Sequence, residues 1–109
     1  MRDINKIIIH CSATREGQAF SVDTIKQWHL NRGWSDVGYH YIVHLDGSIS
    51  YGRDINKRGA HTKGHNTGSI GICYVGGVEA DGKTPKDTRT PEQKESLLEL
   101  IKVLKKLNS

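Results

Sequence analysis

His10 is the residue whose position most invites chemistry. It closes the apolar run Ile7-Ile8-Ile9 and precedes Cys11-Ser12-Ala13-Thr14. Three β-branched residues suited to a short buried strand therefore give way here to small polar residues suited to a loop. An imidazole at a sheet's rim can face a cleft as a ligand, or sit as a neutral, hydrogen-bonded strand-end histidine, and the local sequence leaves both readings open. Further along, His40 and His44 share one face of a second strand pattern, which looks like a metal pair but reads better as packing or solvation for both. His61 and His65 fall in a long loop. Tyr39 reads on its own as a hairpin tyrosine packed on the core with its hydroxyl in water. Cys11 and Cys73 are the 2 cysteines, and without an export signal they read as free thiols, with a metal role still open.

The elements that must position these groups follow from periodicity and punctuation. After the first strand, Ser21 is suited to cap a helix that buries Val22, Ile25 and Trp28 and stops at Gly33. Gly38-Tyr39-His40-Tyr41-Ile42-Val43-His44-Leu45 then faces Ser48-Ile49-Ser50-Tyr51 across Asp46-Gly47, the residue pair that type I′ hairpin turns prefer. Period two puts Tyr39, Tyr41, Val43 and Leu45 on one face and His40, Ile42 and His44 on the other. Residues 52–69 form a long surface loop, a length that points to function. Ile70-Gly71-Ile72-Cys73-Tyr74-Val75 is a third buried strand, and Gly76-Gly77 ends it where the backbone turns or approaches something closely. Finally, Thr90-Pro91-Glu92-Gln93 supplies an N-cap, an N1 proline and a capping-box glutamine. The helix that follows carries Leu97, Leu100, Ile101, Leu104 and Leu107 on one stripe. Helices and strands in this order give an α/β fold, a single domain with a central mixed β-sheet flanked by helices; strand order is not readable.

Composition bounds the function. With 109 residues, 35% hydrophobic and 26% charged, and without repeats or low-complexity blocks, the chain folds as one globular domain rather than staying disordered. The three apolar residues after Met1-Arg2-Asp3-Ile4-Asn5-Lys6 are too few for a signal-peptide core or a membrane span, so cytoplasmic synthesis without a signal peptide is expected. The net charge of +4 suits an anionic partner. The basic residues form no aromatic-interleaved stripe and no nucleic-acid-binding motif is present, so nucleic acid is the weaker candidate and an acidic cell-wall polymer fits the charge equally well.

Several motifs in order now carry a resemblance. Ile9-His10-Cys11-Ser12-Ala13-Thr14, Gln27-Trp28-His29, Gly33-Trp34 with Asp36-Val37-Gly38-Tyr39-His40-Tyr41, Asp46-Gly47, Gly52-Arg53, His61-Thr62-Lys63-Gly64-His65-Asn66, and Ser69-Ile70-Gly71-Ile72 with Val75-Gly76-Gly77 resemble the zinc-dependent N-acetylmuramoyl-L-alanine amidases of the phage-lysozyme and peptidoglycan-recognition type. The resemblance covers nearly the whole chain. It implies that His10 is a Zn2+ ligand and that Tyr39 is catalytic, assisting at the reacting carbonyl. By the same resemblance His61, Lys63, Asn66, Trp34 and His40 border the glycopeptide groove. The implied reaction is hydrolysis of the amide between N-acetylmuramic acid and L-alanine in peptidoglycan by zinc-activated water, with three protein ligands and one open position, and with Tyr39 hydrogen-bonded to the developing oxyanion. The implied setting is that of a phage endolysin acting on the cell wall.

One departure matters. The family places its other two zinc ligands, a histidine and a cysteine, on a strand and loop after the long helix, and residues 1–109 lack that segment. Only His10 of the metal triad carries over. Either the natural product is longer, or other residues complete the site, with Cys73 and His61 the candidates by type although Cys73, mid-strand in an apolar run, reads as a buried small hydrophobe, or the chain is a non-hydrolysing peptidoglycan-binding relative. An absent strand would also leave a sheet edge or apolar face uncovered, so self-association is expected.

Overall fold

The computed structural model describes residues 4–18, 22–31, 38–61, 64 and 66–107, and within the helices the side chains of residues 22, 23, 29–31 and 107 are not part of that description. The expected cap at Ser21 and stop at Gly33 lie outside the described residues.

Eight elements follow one another: β1 (Lys6–Cys11), β2 (Thr14–Arg15), α1 (Val22–Asn31), β3 (Tyr41–Val43), β4 (Ile49–Tyr51), β5 (Ser69–Tyr74), β6 (Gly77–Val78) and α2 (Pro91–Leu107). The main sheet has four strands in the order β1-β5-β3-β4. β5 runs parallel to both β1 and β3, whereas β3 and β4 are antiparallel, so the sheet is mixed as expected. β2 and β6, too short to show as periodicity, pair separately.

Register decides which residues share a face, because partners on adjacent parallel strands point the same way. Ile7, Ile9, Ile70, Ile72, Tyr41 and Val43 form rows on one side, and there Val43, Ile70 and Ile72 pack on Leu97 and Leu104 of α2. On the other side Ile42, Cys73 and Val75 pack on Ile25, with Trp28 and Tyr39 against them. The sheet is thus sandwiched between α1 and α2. β1 occupies an edge, which corrects the expectation of a buried strand: Ile9 is 42% exposed, and an open apolar groove lined by Ile4, Ile7, Ile9, Ile101 and Leu104 runs between β1 and α2.

α2 begins as its sequence dictates. The Thr90 amide donates to Gln93 Oε1 (2.9 Å) while the Gln93 amide donates to Thr90 Oγ1 (3.0 Å), the reciprocal pair of a capping box. Gln93 does more than cap: its fully buried Nε2 donates to the carbonyls of Val43 (3.3 Å) and Val75 (3.0 Å), pinning the helix to the sheet.

The hairpin differs from its expectation in two ways. His44 N–H donates to Ser48 O and Gly47 N–H to His44 O, so the connection is the three-residue loop Leu45, Asp46, Gly47. Only Gly47 has positive φ (+87°), not the two central residues that a type I′ turn requires. A Cβ there would also lie 2.9 Å from Ser96 Oγ. Second, the strict alternation fails at Tyr39. Gly52 N–H bonds His40 O, and Arg53 N–H bonds Tyr39 O at 2.7 Å, whereas a regular antiparallel ladder bonds alternate positions. This break turns Tyr39 onto the α1 side with Ile42, so Tyr39 and His40 serve the same side of the sheet after all.

Candidate functional site

Near the start of β5 on the α1 side, Ser69 and Gly71 alternate with buried Ile70 and Ile72. Small residues leave this half of the face open, and the side chains of His61 and His40 fill it. A Cβ on Gly71 would sit 2.5 Å from His61 Cδ2 and 2.6 Å from its Cγ, and a Cβ on Gly59 would also meet Cδ2 at 2.5 Å. The imidazole of His61 is therefore held between two glycine backbones, a fit that any side chain at either position would spoil. Its backbone is fixed as well, because the His61 N–H donates to Asn66 Oδ1 at 3.0 Å.

His10, projecting from β1 beside Cys73 in register, meets this ring: His10 Nε2 and His61 Nδ1 are 3.0 Å apart, and His61 Nε2 lies 3.3 Å from Ser69 Oγ. Tyr39 approaches His10 from β3's side, ring centroids 5.6 Å apart and tilted by 47°, and its side chain hydrogen-bonds the Cys73 thiol. Partial burial lowers the His10 pKa from its ordinary value, favouring the neutral imidazole. His10, Tyr39 and His61 thus form one cluster on the α1 side.

The remaining expected residues separate. His40 is 1% exposed; its Nε2–H donates to Lys57 O (2.8 Å) and its Nδ1 accepts from the Gly71 N–H (3.0 Å). This geometry corrects the groove-bordering expectation for His40: the ring stands edge-on behind His61, centroids 6.0 Å apart, and braces the cluster from beneath. His44 pairs with Ser50 Oγ at 2.7 Å, so no metal pair forms with His40. Cys73 is fully buried and its thiol is pushed up to about 12 by desolvation, which keeps it protonated; it packs as a small hydrophobe beneath Tyr39. Cys11 and Cys73 are both free. Trp34, Lys63 and His65 lie outside the described residues.

Catalytic zinc requires three protein ligands around one point. Among the described residues no three His, Cys, Asp or Glu side chains converge in that way, so these residues do not complete such a site. Cys73, a candidate by residue type alone, is the buried small hydrophobe that its apolar strand suggests.

Sequence reasoning passed over Ser69, Gly59 and the function of Gly71. Their signal was present: Ser69 and Gly71 alternate along one strand face where apolar side chains would be expected, which marks room for something else.

Comparison with known proteins fits this geometry. Residues 1–108 match the family described as N-acetylmuramoyl-L-alanine amidase. The endolysin of Klebsiella phage KP32 is 43% identical over 104 residues, 95% of this chain and 68% of the relative. The endolysin of Escherichia phage T7 is 47% identical over 98 residues, 90% of this chain and 64% of the relative. Among solved structures, the N-acetylmuramoyl-L-alanine amidase LysC from Clostridium intestinale URNW superposes with a TM-score of 0.83 at 30% identity, covering 98% of this chain and 66% of that one. The chain spans about two thirds of the length of these relatives. Matched along nearly its whole length by sequence and by fold, the chain belongs to the N-acetylmuramoyl-L-alanine amidase family.

Proposed function

We propose that this chain acts on peptidoglycan as a lysin-type amidase, hydrolysing the bond between N-acetylmuramic acid and L-alanine. The observation that carries the reading is the joining of His10, Tyr39 and His61 on one side of the sheet, within a fold shared with amidases. Zinc bound at a complete site of this family supplies an activated water and a polarised carbonyl. The groups argued for here are the protein's own. Tyr39 lies beside His10 with its hydroxyl on the Cys73 thiol; turned from that thiol to the substrate, the hydroxyl would donate to the oxygen on which negative charge develops, an interaction stronger in the transition state than in the bound substrate. Burial lowers the His10 pKa and so favours the imidazole form, the form that can act as a ligand. Asn66, which fixes the backbone of His61, borders the site and supplies a contact to the glycopeptide. Among the described residues no helix is long and apolar enough to cross a membrane, and the site of action is the cell wall.

The test is digestion of purified peptidoglycan with the full chain, scored by new N-terminal alanine without new reducing sugar ends. Release of N-terminal alanine that falls at least about tenfold in Tyr39→Phe supports the reading; reducing ends without N-terminal alanine overturn it.

A second reading, a peptidoglycan-binding relative that does not hydrolyse, is suggested by the lack of three converging ligands among the described residues. It predicts that the chain sediments with insoluble peptidoglycan, releases nothing, and retains far less than one zinc per chain after dialysis against a weak chelator. About one zinc per chain, lost in His10→Ala, would count against it.

A further inference from the structure

The segment from Arg53 to Ala60 begins and ends on neighbouring residues. The Arg53 amide donates to Tyr39 O (2.7 Å) and the Ala60 amide to Gly38 O (3.0 Å), so both ends hang on the dipeptide that carries the Tyr39 side chain. Between them the chain reverses in a tight turn, where Lys57 N–H donates to Asp54 O (2.9 Å) and Asn56 N–H to Asp54 Oδ1 (2.8 Å). A side chain spans that turn: Arg53 Nη1 donates to Arg58 O at 2.9 Å, a charge-assisted bond from one limb of the loop to the other. The carbonyl it holds belongs to the peptide unit that joins Arg58 to Gly59, and because that unit is planar, fixing its oxygen fixes the approach of Gly59. Gly59 has little tolerance. A Cβ there would meet His61 Cδ2 at 2.5 Å, Gly38 O at 2.9 Å and His40 Cε1 at 2.9 Å, so three groups close on this one backbone position.

We infer that Arg53 is a positioning residue for the pair Tyr39 and His61: its amide holds the Tyr39 carbonyl, while its guanidinium, through the Arg58–Gly59 peptide, holds the glycine against which the His61 ring rests. One residue thereby sets the spacing of two side chains of the cluster, acting on each through the backbone. The amide contact survives any substitution of the side chain except proline, so the two halves of the role are separable. Losing the guanidinium leaves Tyr39 tied and frees the limb that carries Gly59, Ala60 and His61. The bond is exposed, which puts its worth at the low end for a charged donor, about tenfold in the opening of that limb. The use of this spacing in hydrolysis rests on the proposed amidase reading; the clamp does not.

The experiment separates the two. In the full chain, amide hydrogen exchange and the Hα shifts of Gly59 and Gly71, the two glycines that flank the His61 ring, are compared with those of Arg53→Met, which keeps an unbranched stem but no donor. Exchange at the Ala60 amide should accelerate about tenfold while the amides of β5 keep their protection. The glycine Hα shifts should move toward ordinary values as the ring leaves its place. Arg53→Lys, which keeps a cationic donor, should recover most of both effects. Unchanged Ala60 exchange and glycine shifts in Arg53→Met, equal acceleration throughout β5, or no recovery in a folded Arg53→Lys would overturn the assignment. Should Arg53→Met fail to fold, Arg53→Gln, a shorter and neutral donor, is read in its place by the same criteria. Where peptidoglycan is cleaved, kcat should drop about tenfold in Arg53→Met with little change in KM, and the same substitution in a Tyr39→Phe background should cost less than about threefold, because changes acting through one spacing do not add. A rise in KM with kcat kept would make Arg53 a substrate contact and overturn the proposal, as would full additivity with Tyr39→Phe. The expected exchange pattern with no cleavage by the unaltered chain would sink the amidase reading while leaving the clamp standing.

Discussion

His40 offers the sharpest test of how the site is supported, because its two roles predict opposite phenotypes. In the structure its ring is 1% exposed and bonds the backbone at both nitrogens, Nε2 to Lys57 O and Nδ1 to the Gly71 N–H. His40→Ala strands the Gly71 N–H inside a parallel strand, where a buried donor without a partner costs about 1–3 kcal/mol. The Lys57 carbonyl is only part-buried and recovers water, so its loss is nearer 0.5–1 kcal/mol, and the space left by the ring adds about 1 kcal/mol. The expected destabilisation is about 3 kcal/mol, a large share of the roughly 5–15 kcal/mol that holds a domain together. With a urea slope of about 1–2 kcal/mol/M, the midpoint should fall by about 2 M. His40→Asn keeps an acceptor for Gly71 and loses only the Lys57 bond, so it should cost about 1 kcal/mol. Equilibrium urea unfolding followed by circular dichroism, with peptidoglycan binding measured in parallel, decides the matter. A His40→Ala chain within 0.5 kcal/mol of the parent and weakened only in binding would refute the bracing role, and with it the geometry that turns the ring away from the groove.

Gln93→Leu preserves shape but leaves the Thr90 N–H and the Val43 and Val75 carbonyls without their partner; a loss of about 3 kcal/mol in chemical unfolding is expected, and Gln93→Glu should not rescue it, because a carboxylate would face two carbonyl oxygens. Gly71→Ala should cost about 1–3 kcal/mol and expel the His61 ring, which its methyl would meet at 2.5 Å; an unaltered unfolding midpoint would show that the ring is not held there. The Cys73 thiol, raised from the model-peptide value of 9.0 to about 12 by burial, binds its proton more tightly when folded than when unfolded. Stability should therefore be intact below pH 9 and decline as pH rises from 9 toward 12, by up to about 4 kcal/mol, a decline that Cys73→Ala should abolish relative to its own neutral-pH value. Alkylation of native Cys73 at pH 8 should likewise wait for unfolding.

How far the fold was legible depended on whether its cause was local. The capping box of α2, the apolar stripe from Leu97 to Leu104, the β5 run and the Gly76-Gly77 ending all rest on short-range chemistry, and the structure repeats them. Where a neighbour in space decides, the reading failed. Nothing in Ile7-Ile8-Ile9 distinguishes an edge strand from a central one, since the same β-branched residues serve both and only strand order tells which flank is open. The three-residue loop at Asp46-Gly47 is chosen by α2, whose Ser96 hydroxyl donates to Gly47 O at 2.7 Å, a partner 49 residues away in sequence. Tyr39 left its predicted face because the hairpin ladder breaks at Arg53.

The site shows the same division more sharply. The strand-end position of His10 was legible because a strand end announces itself, but its surroundings were not, since His61 reaches it across 51 residues and Ser69 meets His61 from 8 positions away. The two glycines that admit the ring are equally silent in sequence, where a glycine in a strand signals room without saying for what. His40 shows the converse. Its motif membership invited a role at the substrate, yet a histidine one position before β3, facing the first half of β5, has a backbone donor and a backbone acceptor within reach and is consumed by them. Histidine type and motif order point to the family; that His40 holds the strand while His10 and His61 meet beside Tyr39 follows from contacts across the fold that no local pattern announces.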